Sequence, residues 1–292
     1  MNSTNPKLTI ITPVFNGEKF IEKCMLNVIN QDCKDIEHII VDGGSSDNTV
    51  NIVTEFSQKF NHIRWISEKD EGQSDAMNKG IELAKSKVIS FLNVDDYYEP
   101  GVFKKILIIF EELPEGSLLV GNCKVVDEND TLLYTRSPSH LRLADLLVGT
   151  DIFPHPINPS SYFYSKSIHD LIGGYDIESN YIMDLEFFLR AVQVANIVYV
   201  NEDWGNFRYL EGTKTFEINQ RGGNWYLKKK LFQKYQKDLP LFQRLILKPR
   251  IIYYNNLKPI LRNTGTPLWK ALLLERRLPK RYIELFNFKK LY

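Results

Sequence analysis

The chain has 292 residues, 43% of them hydrophobic and 25% charged, which suits one large globular domain with an appendage and is too short for two full enzyme domains. Residues 1–7 are polar, and the longest apolar run, residues 106–110, falls far short of the roughly 18 residues a spanning helix needs, so neither a signal peptide nor a membrane span is expected. The formal net charge of +1 hides a division: residues 221–292 hold 18 Lys and Arg against 3 Asp and Glu, a net of +15, and the first 220 hold 19 against 33, a net of −14.

Residues 8–12 (LTIIT) form an apolar run ended by Pro13 and read as a first strand; residues 18–30 follow as a helix with Phe20, Ile21, Met25 and Ile29 on one face. A second strand over residues 36–41 closes in the turn residues DGGSSD, and a helix over 49–59 comes next. Residues 63–66 read as a third strand, then a polar loop through Gly72, a helix over 74–85, and a fourth strand over 88–92 that breaks at Asn93, Val94, Asp95 and Asp96. Strand and helix alternating four times predict a parallel, doubly wound sheet.

In such sheets ligands sit at the carboxyl ends of the strands. The polar clusters fall there: Asp42 after the second strand, residues 68–75 after the third, residues 93–96 after the fourth. Carboxylates gathered at one rim repel one another unless a cation or protons neutralise them, so a divalent metal, Mn²⁺ or Mg²⁺, is expected. From about residue 117 the pattern becomes more antiparallel, with strands at 118–126 and 132–134, a proline-rich loop at 153–159, a segment at 161–164, a turn at Gly173 and Gly174, an amphipathic helix at 183–191, and a strand at 197–200.

Five segments, TIITPVFNG (9–17), VDGGSSDNT (41–49), DEGQSDAMNKGI (70–81), FLNVDDYYEPG (91–101) and GGYDIESNYIMDLEFFLR (173–190), stand in an order that resembles the inverting glycosyltransferases of family 2. The resemblance spans residues 8–214. It implies a GT-A fold, an α/β architecture with a mostly parallel sheet flanked by helices, as a catalytic domain over residues 1–215. It also implies transfer of a sugar from a nucleoside diphosphate sugar, a UDP-sugar ahead of a GDP-sugar, to a hydroxyl of a glycan or lipid-linked acceptor in cell-surface polysaccharide synthesis.

Each motif residue has a chemical reading beside the resemblance. Thr12, Pro13 and Phe15 would flank the base, and Asp42 would accept hydrogen bonds from base or ribose, or else cap its turn. Gly72, Gln73, Asp75 and Asn78 would cradle the donor sugar and diphosphate. Asp95 is the implied metal ligand in a motif whose first aspartate is here Asn93, and Asp96 would support it or bond the donor. Asp184 is the implied general base, deprotonating the acceptor hydroxyl as it attacks. The residue before it is Met183 where the family carries Glu; Glu186 can contribute or simply favour the helix N-terminus. Arg208 and Lys214 are expected on a loop after the last strand, over the diphosphate or solvated. His155, between two prolines, faces the acceptor or is structural. Asp42, Asp95 and Asp184 are expected to meet around one pocket.

Residues 216–292 form a basic, aromatic-rich helical extension that Pro240, Pro249, Pro259, Pro267 and Pro279 cut into short helices. Basic amphipathic helices with interfacial aromatics lie on anionic membranes. The expected location is therefore the cytoplasm, peripheral at the inner face of the cell membrane, with no nucleic-acid partner; helices packed on the domain, or a homodimer, are the alternatives. Three cysteines without CxxC spacing (Cys24, Cys33, Cys123) fit plain thiols in a reducing compartment. Asn93 and Met183 motivate the rival reading, a catalytically inactive relative that binds sugar nucleotides without turning them over.

Overall fold

The computed structural model describes residues 5–150, 152–179, 181–221 and 223–254. In chain order the elements are β1 Leu8–Val14, α1 Ile21–Ile29, β2 Ile36–Asp42, α2 Thr49–Lys59, β3 Ile63–Ser67, α3 Gln73–Leu83, β4 Val88–Phe91, β5 Tyr97–Tyr98, α4 Val102–Glu112, β6 Ser117–Val126, β7 Leu132–Arg136, α5 Leu143–Leu146, β8 Tyr162–Ser165, α6 Ile168–Ile172, α7 Met183–Ala191, β9 Asn196–Arg208, α8 Lys214–Gln220, α9 Trp225–Asp238 and α10 Leu241–Ile252. The alternation read from residues 8–92 is present, and its four strands form the parallel half of the sheet, ordered β3-β2-β1-β4. Beyond β4 the order continues β8-β6-β9-β5: β8 runs antiparallel to β4 and β6, β9 returns parallel to β6, and β7 hangs on β6 as a hairpin.

All seven residues of β1 are buried, as a central strand covered on both faces requires. Pro13 does not end it. The last pairing of β1 with β4 joins Ile11 to Phe91, and the nitrogen of Pro13 faces β4's side beyond that point, so its missing N–H leaves no gap in the ladder. One face of the sheet, with Leu8 and Ile10, packs on α1 and on Val102, Phe103 and Ile106 of α4, the helix that contains the apolar run at 106–110. The other face, with Ile11 and Phe91, packs on Met77 of α3 and on Phe187 and Phe188 of α7. Gly80 allows the close approach of α3 to β1, because a Cβ there would collide with Cγ2 of Ile11. Gly80→Val should therefore cost about 3 kcal/mol by overpacking, read as a lower urea midpoint at unchanged slope.

Two expectations are corrected. The last strand continues through Arg208, so Arg208 ends β9 and Lys214 begins α8; neither lies on a free loop. Pro240 does separate α9 from α10, whereas Pro249 lies inside α10 without ending it. Leu231, Tyr235, Leu239 and Leu247 join the same core cluster as α3 and α7, so through residue 254 the basic extension packs on the body. The opposite face of the extension exposes Trp225, Tyr226, Leu241 and Phe242. Residues 255–292, with Pro259, Pro267 and Pro279, lie outside the described residues. No described helix is long and apolar enough to cross a membrane.

Candidate functional site

Where β4 ends, the turn Asn93-Val94-Asp95-Asp96 divides its two acids between different tasks. Asp96 is 2% exposed and acts as a tie point. Its carboxylate accepts from Nδ2 of Asn93 in the same turn at 2.9 Å, and from two segments distant in sequence, Nδ2 of Asn158 at 2.6 Å and the backbone N–H of Arg208 at 2.9 Å. Burial and the neighbouring Asp95 charge push its carboxyl well above the usual range, and these three donors oppose that shift. An aspartate at position 93 would set a third carboxyl group against Asp96, whereas the amide of Asn93 donates to Asp96 and accepts from Gln73 Nε2 at 2.9 Å. Asp95, by contrast, lines a cleft; burial raises its carboxyl and the charge of Arg208 partly offsets that.

The cleft has two adjoining lobes of about 500 and 380 Å³ that share Gln73, Asn93, Phe207, Lys214 and Thr215. The first lobe carries Phe15, Asp70, Gly72 and Asp95; the second carries Asp184, His155, Arg136 and Lys228. Asp184 sits in the first turn of α7, which is held from behind by the buried ring of Phe187, stacked on Tyr175 at 4.8 Å and tilted on Tyr164 at 5.1 Å. Tyr162 Oη donates to the Asp184 carboxylate at 3.3 Å. Burial pushes Asp184 up to about 6, against the pull of the Tyr162 hydrogen bond and the Lys214 charge. Lys214 lines both lobes with its ammonium 4.7 Å from the Tyr181 ring centroid, and burial lowers its pKa while the charge of Asp184 opposes that.

The sequence candidates thus separate. Asp95, Asn93, Gly72, Pro13, Phe15, Asp184, Lys214 and His155 line the cleft, and Phe15 is 63% exposed there. Asp42 lines neither lobe: its carboxylate accepts from the N–H groups of Gly44 and Ser45, from Ser67 Oγ at 2.7 Å and from Ser45 Oγ, because the tight DGGS turn needs an internal acceptor. Of the three acids, Asp95 and Asp184 line adjoining lobes, one in each, and Asp42 lines neither. Thr12 is buried with its hydroxyl 2.9 Å from His38 Nε2. Asp75 pairs with Lys79 at 3.2 Å and caps the Glu71 N–H. Asn78 clasps the backbone N–H and carbonyl of Tyr175. Arg208 lines neither lobe: it grips both oxygens of Asp130, covers the Tyr97 ring and donates from Nη1 to the Asp95 carbonyl at 3.4 Å. Glu186 is buried in a fork with Arg190 and accepts from Tyr235 Oη at 3.2 Å. Met183 lends its sulfur to Ser74 Oγ at 3.1 Å, a neutral contact where the family carries an acid.

Asp70, Phe207, Thr215, Arg136 and Lys228 line the cleft without having been singled out. Asp70 opens a quoted motif, and its approach is permitted by Gly43, where a Cβ would collide with its carboxylate. The others come from the antiparallel half and the extension, where no short motif marks them.

Among the described residues no three His, Cys, Asp or Glu side chains gather to hold a cation. A hard divalent ion can be held by one or two carboxylates when phosphate oxygens and water complete its shell. Asp95 in the first lobe fits that donor set.

The family described as Glycosyl transferase family 2 matches residues 9–168. A glycosyltransferase of Mycobacterium tuberculosis (strain ATCC 25618 / H37Rv), itself uncharacterised, is 32% identical over 197 residues, covering 67% of this chain and 72% of its own. The Escherichia coli (strain K12) glycosyltransferase YibD, also uncharacterised, is 36% identical over 154 residues, 52% of this chain, and the match spans only 44% of that relative's length. Among solved structures, S. aureus TarS 1–349 in complex with UDP-GlcNAc superimposes with a TM-score of 0.64 at 18% identity, covering 93% of this chain and 76% of that one. The mannosyltransferase PcManGT of Pyrobaculum calidifontis, in complex with GDP-Man and Mn²⁺, does so with a TM-score of 0.55 at 17% identity, covering 97% and 79%. These two likenesses are in fold.

Proposed function

Since the chain belongs to glycosyltransferase family 2, we propose that it transfers a sugar, with inversion, from a UDP-sugar in the lobe of Asp95 to an acceptor hydroxyl in the lobe of Asp184. The observation that carries this reading is the adjacency of the two lobes, with Asp95 in one and Asp184 in the other, around Gln73, Asn93 and Lys214. The fold likeness to a UDP-GlcNAc complex and to a GDP-Man complex with Mn²⁺ supports a nucleotide-sugar donor with a divalent ion.

In this reading the exposed ring of Phe15 stacks on the base, and the turn organised by Asp42 borders the donor through Gly43 and Asp70. Asp95 would hold Mn²⁺ or Mg²⁺ together with diphosphate oxygens, and the ion supplies charge neutralisation to the leaving diphosphate. Lys214, between the lobes, adds positive charge on the same side. Asp184 accepts the hydroxyl proton in concert with attack at the anomeric carbon, and Tyr162 fixes the carboxylate's orientation.

The test is turnover of UDP-sugars with Mn²⁺, by transfer or by slow hydrolysis, followed against pH. Only the deprotonated Asp184 can take a proton, and its pKa is raised to about 6. The rate should therefore be flat above that pH and fall about tenfold per unit below it. UDP-sugar binding without any turnover would favour the inactive relative instead.

The acceptor is proposed to be a glycan or lipid-linked glycan met at an anionic membrane. The exposed Trp225, Tyr226, Leu241 and Phe242 beside Lys229, Lys230 and Arg244 support that location. The full chain should co-sediment with anionic vesicles at low salt and be released at high salt; equal binding to neutral vesicles would sink the idea.

A further inference from the structure

We propose that Tyr175 is a positioning residue for the base: its hydroxyl donates to Tyr162, and through Tyr162 it holds the Asp184 carboxylate in its hydrogen bond. The inference rests on Asp184 as the base and names a residue that acts on it from behind, without lining either lobe of the cleft.

Three tyrosines of the core cluster pack around Phe187 of α7: Tyr162 and Tyr164, two residues apart on β8, and Tyr175 in the turn that precedes the helix. None is more than 3% exposed. The backbone of Tyr175 is fixed from α3, where Asn78 accepts from its N–H at 2.7 Å and donates to its carbonyl at 2.9 Å. Phenylalanine would fill the same space, so what the three hydroxyls add is hydrogen bonding, and a buried hydroxyl without a partner is costly.

Counting protons settles which hydroxyl donates to which. The carbonyl of Gly173 can only accept, so Nδ1 of His169, 2.8 Å away, carries a proton. Burial lowers the pKa of His169 against that hydrogen bond, and the neutral ring leaves Nε2 as an acceptor. Tyr164, with its oxygen 2.9 Å from Nε2, therefore gives its only hydroxyl proton to His169. Tyr162 gives its own to the Asp184 carboxylate at 3.3 Å. The Tyr175 oxygen lies 3.4 Å from that of Tyr162 and is left to donate to it. The chain from Tyr175 through Tyr162 to Asp184 thus runs in one direction, and a hydroxyl that accepts a hydrogen bond is polarised into a better donor.

Donation to a carboxylate favours its charged form, so weakening the chain raises the pH at which Asp184 takes up a proton. The other charges near the acid are Lys214 of α8, which faces it, and Arg136 and Lys228 along the same lobe. His155 there is neutral, its pKa lowered to about 3 chiefly by burial. None of these is altered in the variants that test the chain.

The experiment follows kcat and KM against pH for the full chain with Mn²⁺ and UDP-GlcNAc, or whichever UDP-sugar it turns over. Tyr162→Phe should move the acid limb of kcat up by about one pH unit, a tenfold loss of the deprotonated base below it. Tyr175→Phe should move it by about 0.3 unit, about twofold, with the donor KM unchanged, because it acts one bond further away. In the Tyr162→Phe background the same substitution should add nothing, since its effect passes through the Tyr162 hydroxyl. Tyr164→Phe removes a hydroxyl from the same stack whose proton goes to His169, and should leave the limb in place. Urea midpoints show which variants are folded. A Tyr175→Phe protein that is destabilised but keeps the limb where it was has lost only packing, and the proposal is overturned. A shift that persists in the Tyr162→Phe background, or that Tyr164→Phe reproduces, overturns it as well. An unmoved limb in Tyr162→Phe does so by itself and keeps the test open should the Tyr175 variant not fold. An acid limb that survives Asp184→Asn, or no turnover at all, would instead bring down the base assignment beneath it.

Discussion

Asp184→Asn should lower turnover about a thousandfold while leaving UDP affinity unchanged. Asparagine has the same shape and can still accept the hydrogen bond from Tyr162, so the first turn of α7 and the aromatic stack behind it should stay in place. The change removes only the ability to take a proton, a contribution of about 10²–10⁴ in rate for a well-placed general base. The pH dependence below about 6 should vanish with it, since Asp184 is the group assigned to that titration. A decrease of less than tenfold would mean that the proton goes elsewhere, and Asp184 would then be no more than a buried acid beside Tyr162.

The second large effect is expected at Asp95. Replacing it by alanine should reduce turnover by at least about a hundredfold, because stabilisation of the leaving diphosphate by a bound ion is worth several kcal/mol. Its companion Asp96 is held by three donors, so Asp95 has no ready substitute. Since no cluster of three ligating side chains occurs among the described residues, Mn²⁺ should bind weakly to the protein alone and much more tightly once UDP is present. Electron paramagnetic resonance of Mn²⁺ with and without UDP measures this directly. Tight nucleotide-independent binding that survives in Asp95→Ala would remove Asp95 from the metal site.

The parallel half of the sheet was legible because its strands are short, mostly apolar runs closed by turn residues and its helices keep one apolar face, so local pattern and tertiary burial agree. Of β9 only residues 197–200 were legible. Its polar stretch Asn201, Glu202 and Asp203 lies where the ladder with β6 shifts register, and that irregularity erases the alternation a strand shows in sequence. The same distinction governs the site. Asp95 and Asp184 stand at element ends and line the cleft, a placement that a motif can mark. Arg208 is drawn off by Asp130 in a hairpin, and Asn78 by the backbone of Tyr175; such partners 78 and 97 residues away leave no local trace. Asp42 shows a subtler limit, since both of its readings, ligand or turn acceptor, predict the same sequence.

The carboxylate of Asp96 has a consequence for how the enzyme is made. Two of its three partners, Asn158 and the Arg208 amide, come from the later part of the chain, and a buried acid lacking such partners is costly. A polypeptide still emerging from the ribosome, with strands β1 to β4 already paired, cannot yet set the acidic turn in its working shape. Donor competence thus waits for Asn158 and Arg208 to be made and placed, and truncated products ending before Arg208 should leave the cell's nucleotide-sugar pool untouched.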